Sequence, residues 1–243
     1  MRHLRRTVLA TFAVALCAAP AASAHDRHQD GGGAVVAPAR GGGLTGGELL
    51  AKGWSVAPFA PEDPFSGSCA SLARNVIAPH FDDNGTATCA ATQRTRLFVY
   101  FGSACFNVEE GVGETEEEQL ACALAADQAV HEFNVTVDGG ETVRLVRRRF
   151  ELISPQTTVP LPPGNEFGVD TATFTAHAWG AVIHRLRPGR HTVAIEVVAD
   201  FGTFHVTVVL NVVRGGHPDD EDADGHDHDH DHDHDHDHDH DHN

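Results

Sequence analysis

After its first two dozen residues the chain has no apolar run long enough to hold it in a bilayer, which takes about 20 residues. It has no CxxC pair, so a thiolate zinc site finds no support. No HExxH, GxSxG or P-loop pattern occurs, and no nucleophile–base pair stands out, so no enzyme is expected. Lysine and arginine are both missing between His217 and Asn243, a segment that holds 13 of the 35 acidic residues. The remainder has 22 acidic against 17 basic residues, so the formal charge of −18 falls to −5 without that segment. The acidity therefore belongs mostly to the C-terminal tail. Nucleic acid is disfavoured as a partner, because phosphate contacts need a basic footprint.

What is present begins with an export signal. Arg2, Arg5 and Arg6 precede a mostly apolar stretch from Val8 to Ala19, and Ala22-Ser23-Ala24 follows. A basic start, a short greasy stretch and small residues at a cut site describe a signal peptide over residues 1–24. The expected product is secreted, to the extracellular space or the periplasm, and starts at His25. Loss of Cys17 leaves Cys69, Cys89, Cys105 and Cys122. An even count in an exported chain predicts two disulfides, with three connectivities open. Cys69–Cys89 and Cys105–Cys122 are favoured, because each closes a short local loop.

Residues 25–43 are polar and glycine-rich and read as a flexible linker. Residues 44–213 carry one domain's worth of patterned sequence. From Arg214 on, composition shifts to Gly, Pro, Asp and His, and residues 214–243 are expected to be a disordered tail. Two capping boxes predict short helices. Thr45 with Glu48 stands before Leu49, Leu50 and Trp54; Thr115 with Glu118 stands before Leu120, Ala121, Leu124 and Ala125.

Strands account for the rest. Phe133–Val137 alternates and meets Asp138-Gly139-Gly140, with residues 142–146 as its hairpin partner. Residues 96–101, 149–153, 173–178 and 181–186 are further candidates, and Asn84-Gly85 signals a hairpin turn. Arg187-Pro188-Gly189-Arg190 is a turn feeding the penultimate strand. The last two strands, 192–199 and 202–213, must pair so that both apolar sets face the same way. That register sets Val197 opposite Phe204, Ile195 opposite Val206, Val193 opposite Val208, and Glu196 opposite His205. The expected fold is all-β: an antiparallel β-sandwich with two short helices.

A series of motifs runs through residues 44–213 in order: Leu44-Thr-Gly-Gly-Glu48 with Trp54; Cys69 and Cys89; Leu97-Phe98-Val99 before Cys105; Thr115-Glu-Glu-Glu118 before Cys122; and Arg187-Pro-Gly-Arg-His-Thr192. In these the chain resembles a family of uncharacterised secreted bacterial β-rich proteins. The stretch after Cys89 departs from that pattern in lacking its Pro and Gly. The resemblance implies an exported β-rich fold and brings no catalytic residues.

The tail holds the clearest chemistry. His226, His228, His230, His232, His234, His236, His238, His240 and His242 alternate strictly with eight aspartates. Neutral imidazole is the preferred ligand for zinc, nickel, copper and cobalt at neutral pH. Alternation places every His on one side of an extended chain and pairs them i,i+4 in a helical one. The aspartates concentrate cations and can accept the second imidazole N–H, which orients a ligand. The expected ligand is a divalent transition metal, zinc foremost, with a metal transporter or a cell-surface component as a further partner. The competing readings are a neutral repeat expansion, an acidic solubilising tail, or an extracellular interaction module that binds protein or glycan and carries the tail incidentally.

Other candidates are weaker. His25 at the expected new N-terminus suggests a copper histidine brace, but the Gly-rich residues after it supply no preorganisation. His80, His131, His177, His184, His191 and His205 are scattered without ligand spacing. The run from His80 to Gly85 lacks the ligand periodicity of a calcium loop. Arg147-Arg148-Arg149 reads as a solvated cluster at a strand boundary.

Overall fold

A computed structural model of the chain describes residues 33–56, 59 and 64–214. The expected signal peptide, His25 and the nine histidines of the repeat lie outside the described residues. The described chain opens with β1 (Val35–Pro38), β2 (Arg40–Gly41), β3 (Leu44–Thr45), α1 (Gly46–Trp54), β4 (Ser68–Ala73), β5 (Val76–His80) and β6 (Thr86–Thr92). It continues through β7 (Arg96–Phe106), α2 (Glu116–Asp127), β8 (Val130–Val137), β9 (Thr142–Arg144), β10 (Glu151–Ile153) and β11 (Thr157–Pro160). It closes with β12 (Thr171–His184), β13 (Gly189–Ala199) and β14 (Gly202–Val213).

Two sheets face each other. The first has seven strands in the order β1-β12-β7-β5-β4, with β10 and β11 also on β12. β12 is its spine: β7 takes one edge, while β1, β10 and β11 share the other in succession. The second sheet has five strands in the order β6-β14-β13-β8-β9. Leu97 and Val99 of β7 and Ala181 and Ile183 of β12 pack against Phe133, Val135, Val193, Ile195, Val208 and Leu210 of the second sheet. The alternate residues Phe98, Phe174, Ala176, Ala178 and Val182 point the other way, under Leu49 and Leu50 of α1. The first sheet is thus buried on both faces, which explains why β12 reads as a nearly continuous apolar run rather than an alternating one.

Both capping boxes form, with Thr45 and Thr115 each accepting from the N–H three residues on and each receiving the glutamate in return. The final hairpin adopts the expected register: Val197↔Phe204, Glu196↔His205, Ile195↔Val206 and Val193↔Val208. Both local disulfides form. Cys69–Cys89 ties β4 to β6, one strand from each sheet, and Cys105–Cys122 ties β7 to α2. Closing loops of this size stabilises by about 3 kcal/mol each in the chain-entropy model.

Four expectations need correction. The segment 25–43 is not linker throughout, because Val35–Pro38 is an edge strand on β12. Val36 packs into the core between the sheets and Ala37 into the one under α1, an alternation that the flanking glycines concealed. Second, the sandwich is not purely antiparallel. β5 runs parallel to β7, and β6 runs parallel to β14. The chain leaves the first sheet after β5, runs through the second as β6, and returns as β7 pointing the way it left. Third, Asn84-Gly85 is therefore not a hairpin turn but the crossing between sheets. Asp82 caps it, its Oδ1 accepting from the N–H groups of Asn84 and Thr86. Fourth, the separate strands expected at 173–178 and 181–186 are one strand, continuous through Gly180.

Candidate functional site

Among the described residues no group of three or more His, Cys, Asp or Glu side chains is arranged to hold a metal ion. Most of the domain's histidines are engaged with carboxylates. His131 Nε2 lies 2.6 Å from Asp200 at the surface. His191 uses both nitrogens, Nδ1 at 2.7 Å from Asp138 and Nε2 at 2.7 Å from the Arg187 carbonyl oxygen. His205 sits 3.6 Å from Glu196 on the outer face of the second sheet, where Asn134 also donates to Glu196. That pair is an exposed cross-strand contact, contributing about 0.2–1 kcal/mol when the imidazole is charged.

The densest polar cluster lies under α2, on the face of β7 and β12 that looks toward the second sheet. Beyond the reach of that sheet, α2 covers this face instead. Its turns at i, i+4 and i+8 point Gln119, Ala123 and Asp127 inward. Leu120, Ala121, Leu124 and Ala125 are half-buried or exposed. The Cys105–Cys122 bridge helps to fix this rotation, drawing Cys122 onto β7. Gln119 Nε2 donates to Thr173 Oγ1, and its carbonyl accepts from Thr175 and Gln156.

Two turns along, Asp127 Oδ2 meets His177 Nδ1 at 2.7 Å, with both side chains 3% exposed. Asp127 also accepts from the Ser103 hydroxyl at 2.7 Å and from the Ser103 N–H at 3.2 Å. The other ring nitrogen of His177 lies 3.3 Å from Glu151, whose side chain reaches the surface. Trp179 stands edge-on to the imidazole. Residue types familiar from hydrolases thus meet here in another order: the serine proton goes to the aspartate, while both imidazole nitrogens face carboxylates. The Ser103 hydroxyl is thus bonded to Asp127 and not to the imidazole, and the cluster ties α2 to β7 and β12.

Burial works against a charged His177, but the hydrogen bonds and charges of Asp127 and then Glu151 outweigh it, so its pKa is raised. His191 is raised in the same way, burial again opposed by Asp138 and the Arg187 carbonyl. Each imidazole holds its proton more tightly folded than unfolded. Their stabilisation is complete below the unfolded value of about 6.5 and is lost as pH rises through the raised folded values. His184 acts in the opposite sense, since burial and then Arg96 and Arg185 lower its pKa. The expected result is a thermal midpoint that declines above about pH 6.5 in the native chain and declines less in His177→Gln. Circular dichroism melts across that window check it, and parallel curves for the two proteins would contradict it.

Other sequence candidates settle into structural roles. The His80–Gly85 stretch is the capped crossing between the sheets. Arg148 and Arg149 form a 3-10 turn with Phe150, and the Arg149 guanidinium sits 4.6 Å over the Phe150 ring. The Asp127–His177 pair itself left no trace in sequence spacing, its partners being 50 residues apart.

Fold and cysteines together define an all-β sandwich with two disulfides. No family model matches the chain, and no curated protein matches it. Among solved structures, the solution structure of amebosin is similar over 57% of this chain and 96% of that chain, at 10% identity and a TM-score of 0.20. A likeness that weak carries no argument about fold or function.

Proposed function

We propose that this is a secreted protein that binds and buffers divalent transition metals, zinc foremost, through its Asp-His repeat, with the sandwich as a stable carrier. The observation that carries the reading is the strict alternation of nine histidines with eight aspartates from His226 to His242. The geometry of the domain supports it. His177 and His191 each have both ring nitrogens engaged within the fold, so these two imidazoles are committed there. The two disulfides suit an oxidising compartment outside the cytoplasm.

At three or four imidazoles per ion, the repeat takes up about two or three zinc ions. Protons compete for the same nitrogens near the unperturbed His pKa of about 6.5. Calorimetric zinc titration of the mature protein tests both points. Uptake of about two or three ions near pH 7.5, largely lost near pH 5, is the expected outcome. Absence of uptake at the higher pH, or equal affinity at both, would overturn the reading.

A further inference from the structure

The end of the sandwich from which the tail departs is cationic. Three turns meet there: Gly41–Leu44 between β2 and β3, Arg74-Asn75 between β4 and β5, and the turn before β7 that carries Arg94. Together they form an open groove edged by Arg40, Arg74, Arg94 and Arg96. The walls are built rather than loose. Arg96 donates from Nη1 to the Arg40 carbonyl at 2.8 Å. Its backbone N–H donates to the Asn75 carbonyl. Gly42 has φ +61, and a Cβ there would stand 2.6 Å from Ala73 Cβ, so the first two turns touch. The Arg94 turn is closed by Thr92 and Thr95 through hydroxyl and backbone bonds.

Among the described residues no carboxylate pairs with any of the four arginines. Arg40, Arg74 and Arg94 are exposed. The positive field is felt nearby, since Arg96 and Arg185 add to burial in disfavouring a charged His184. The opposite end, beyond β7 and at the start of α2, carries Glu109, Glu110, Glu114, Glu116, Glu117 and Glu118. β12 runs between the two ends, and its 14 residues separate them by roughly 40 Å.

β14 delivers the chain to the cationic end. Its last residue, Val213, pairs with Thr92, two positions before Arg94. Asp219-Asp220-Glu221-Asp222-Ala223-Asp224 follows shortly after, five carboxylates in six residues. Asp219 is five residues beyond Arg214, a reach of at most about 18 Å. A tether that short would give an acidic run within reach of the groove a high effective concentration there.

We propose that the arginine groove is the docking site for this chain's own acidic run, residues 219–224. Docking splits the tail in two: the acidic run clasps the domain, and the repeat from His226 onward extends from it. The clasp is electrostatic and multivalent, since single exposed pairs are weak and a neutralised cluster is not. This inference goes beyond the metal reading and stands whether or not the repeat binds metal.

The full mature chain tests it. With the four cysteines in disulfides, Ala223→Cys offers one thiol for a nitroxide, and the broadening of backbone amide signals maps where residue 223 spends its time. The expected result is strong broadening at Gly42, Gly43 and Asn75. It should fall severalfold in Arg74→Gln/Arg94→Gln, and severalfold again when the five carboxylates become amides, which keeps tether length unchanged. Raising salt from about 20 mM to about 300 mM should act like those substitutions. Equal broadening in all these forms would mean tether proximity alone and would overturn the proposal. So would inorganic phosphate binding the groove equally well whether the run is charged or amidated, which would assign the groove to free anions.

Discussion

Converting the nine repeat histidines, His226 through His242, to asparagine is expected to take zinc uptake from about two or three ions to fewer than one. The substitution keeps chain length and all eight interleaved aspartates. It therefore separates ligation by imidazole from attraction by negative charge. If carboxylates alone gathered the metal, capacity would survive and the proposed function would fail. The complementary variant, with the eight aspartates amidated and the histidines kept, should retain the sites but lose roughly 10–100-fold in affinity, as when a carboxylate that orients a histidine ligand is removed. Calorimetry with zinc near neutral pH reads both. The thermal midpoint of the metal-free protein should be the same in each if the repeat serves metal binding alone.

His177→Phe should cost about 3–5 kcal/mol in urea unfolding, the usual price of leaving one member of a buried pair uncompensated. Asp127 would then sit almost fully buried with Ser103 as its remaining donor. Asp127→Leu combined with His177→Phe should recover much of the loss, because replacing both members with apolar groups removes the stranded charge. The exposed pair His131–Asp200 is the internal control: its removal should cost less than about 1 kcal/mol. If the single variants at the two pairs lost equal stability, the Asp127–His177 contact would not be what fastens α2. Recovery in the double variant would show that the cost of the single variant lies in the stranded charge.

The parts of the molecule that obey a simple period were readable from sequence. Side chains alternate strictly along a strand, so the apolar sets of β13 and β14 admitted one register, and Glu196 fell opposite His205. Thr45 with Glu48 and Thr115 with Glu118 marked helix starts, because reciprocal capping needs those residue types at that spacing. What escaped was whatever depends on partners distant in sequence. Val35–Pro38 is too short to announce itself and owes its existence to the free edge of β12. The parallel pairings follow from β6 lying in the other sheet, which no local pattern records. On α2 the buried residues are Gln119, Ala123 and Asp127 rather than its leucines, since a disulfide and a buried polar row govern its rotation. The arginine groove was equally hidden: its four members come from two turns and two strand ends that meet only in the fold.

The position of β14 bears on how the domain resists being pulled. It lies between β13 and β6, hydrogen-bonded along both edges, and its pairing with β6 runs to its final residue. Tension on a tail attached there acts along the strand, across ladders whose bonds lie largely crosswise to it. Such a load is shared by many bonds at once and cannot peel them one by one. If the tail were caught on a surface or a large ligand, the strand bearing it would act as a mechanical anchor, and the sheet would slip only by breaking two ladders together.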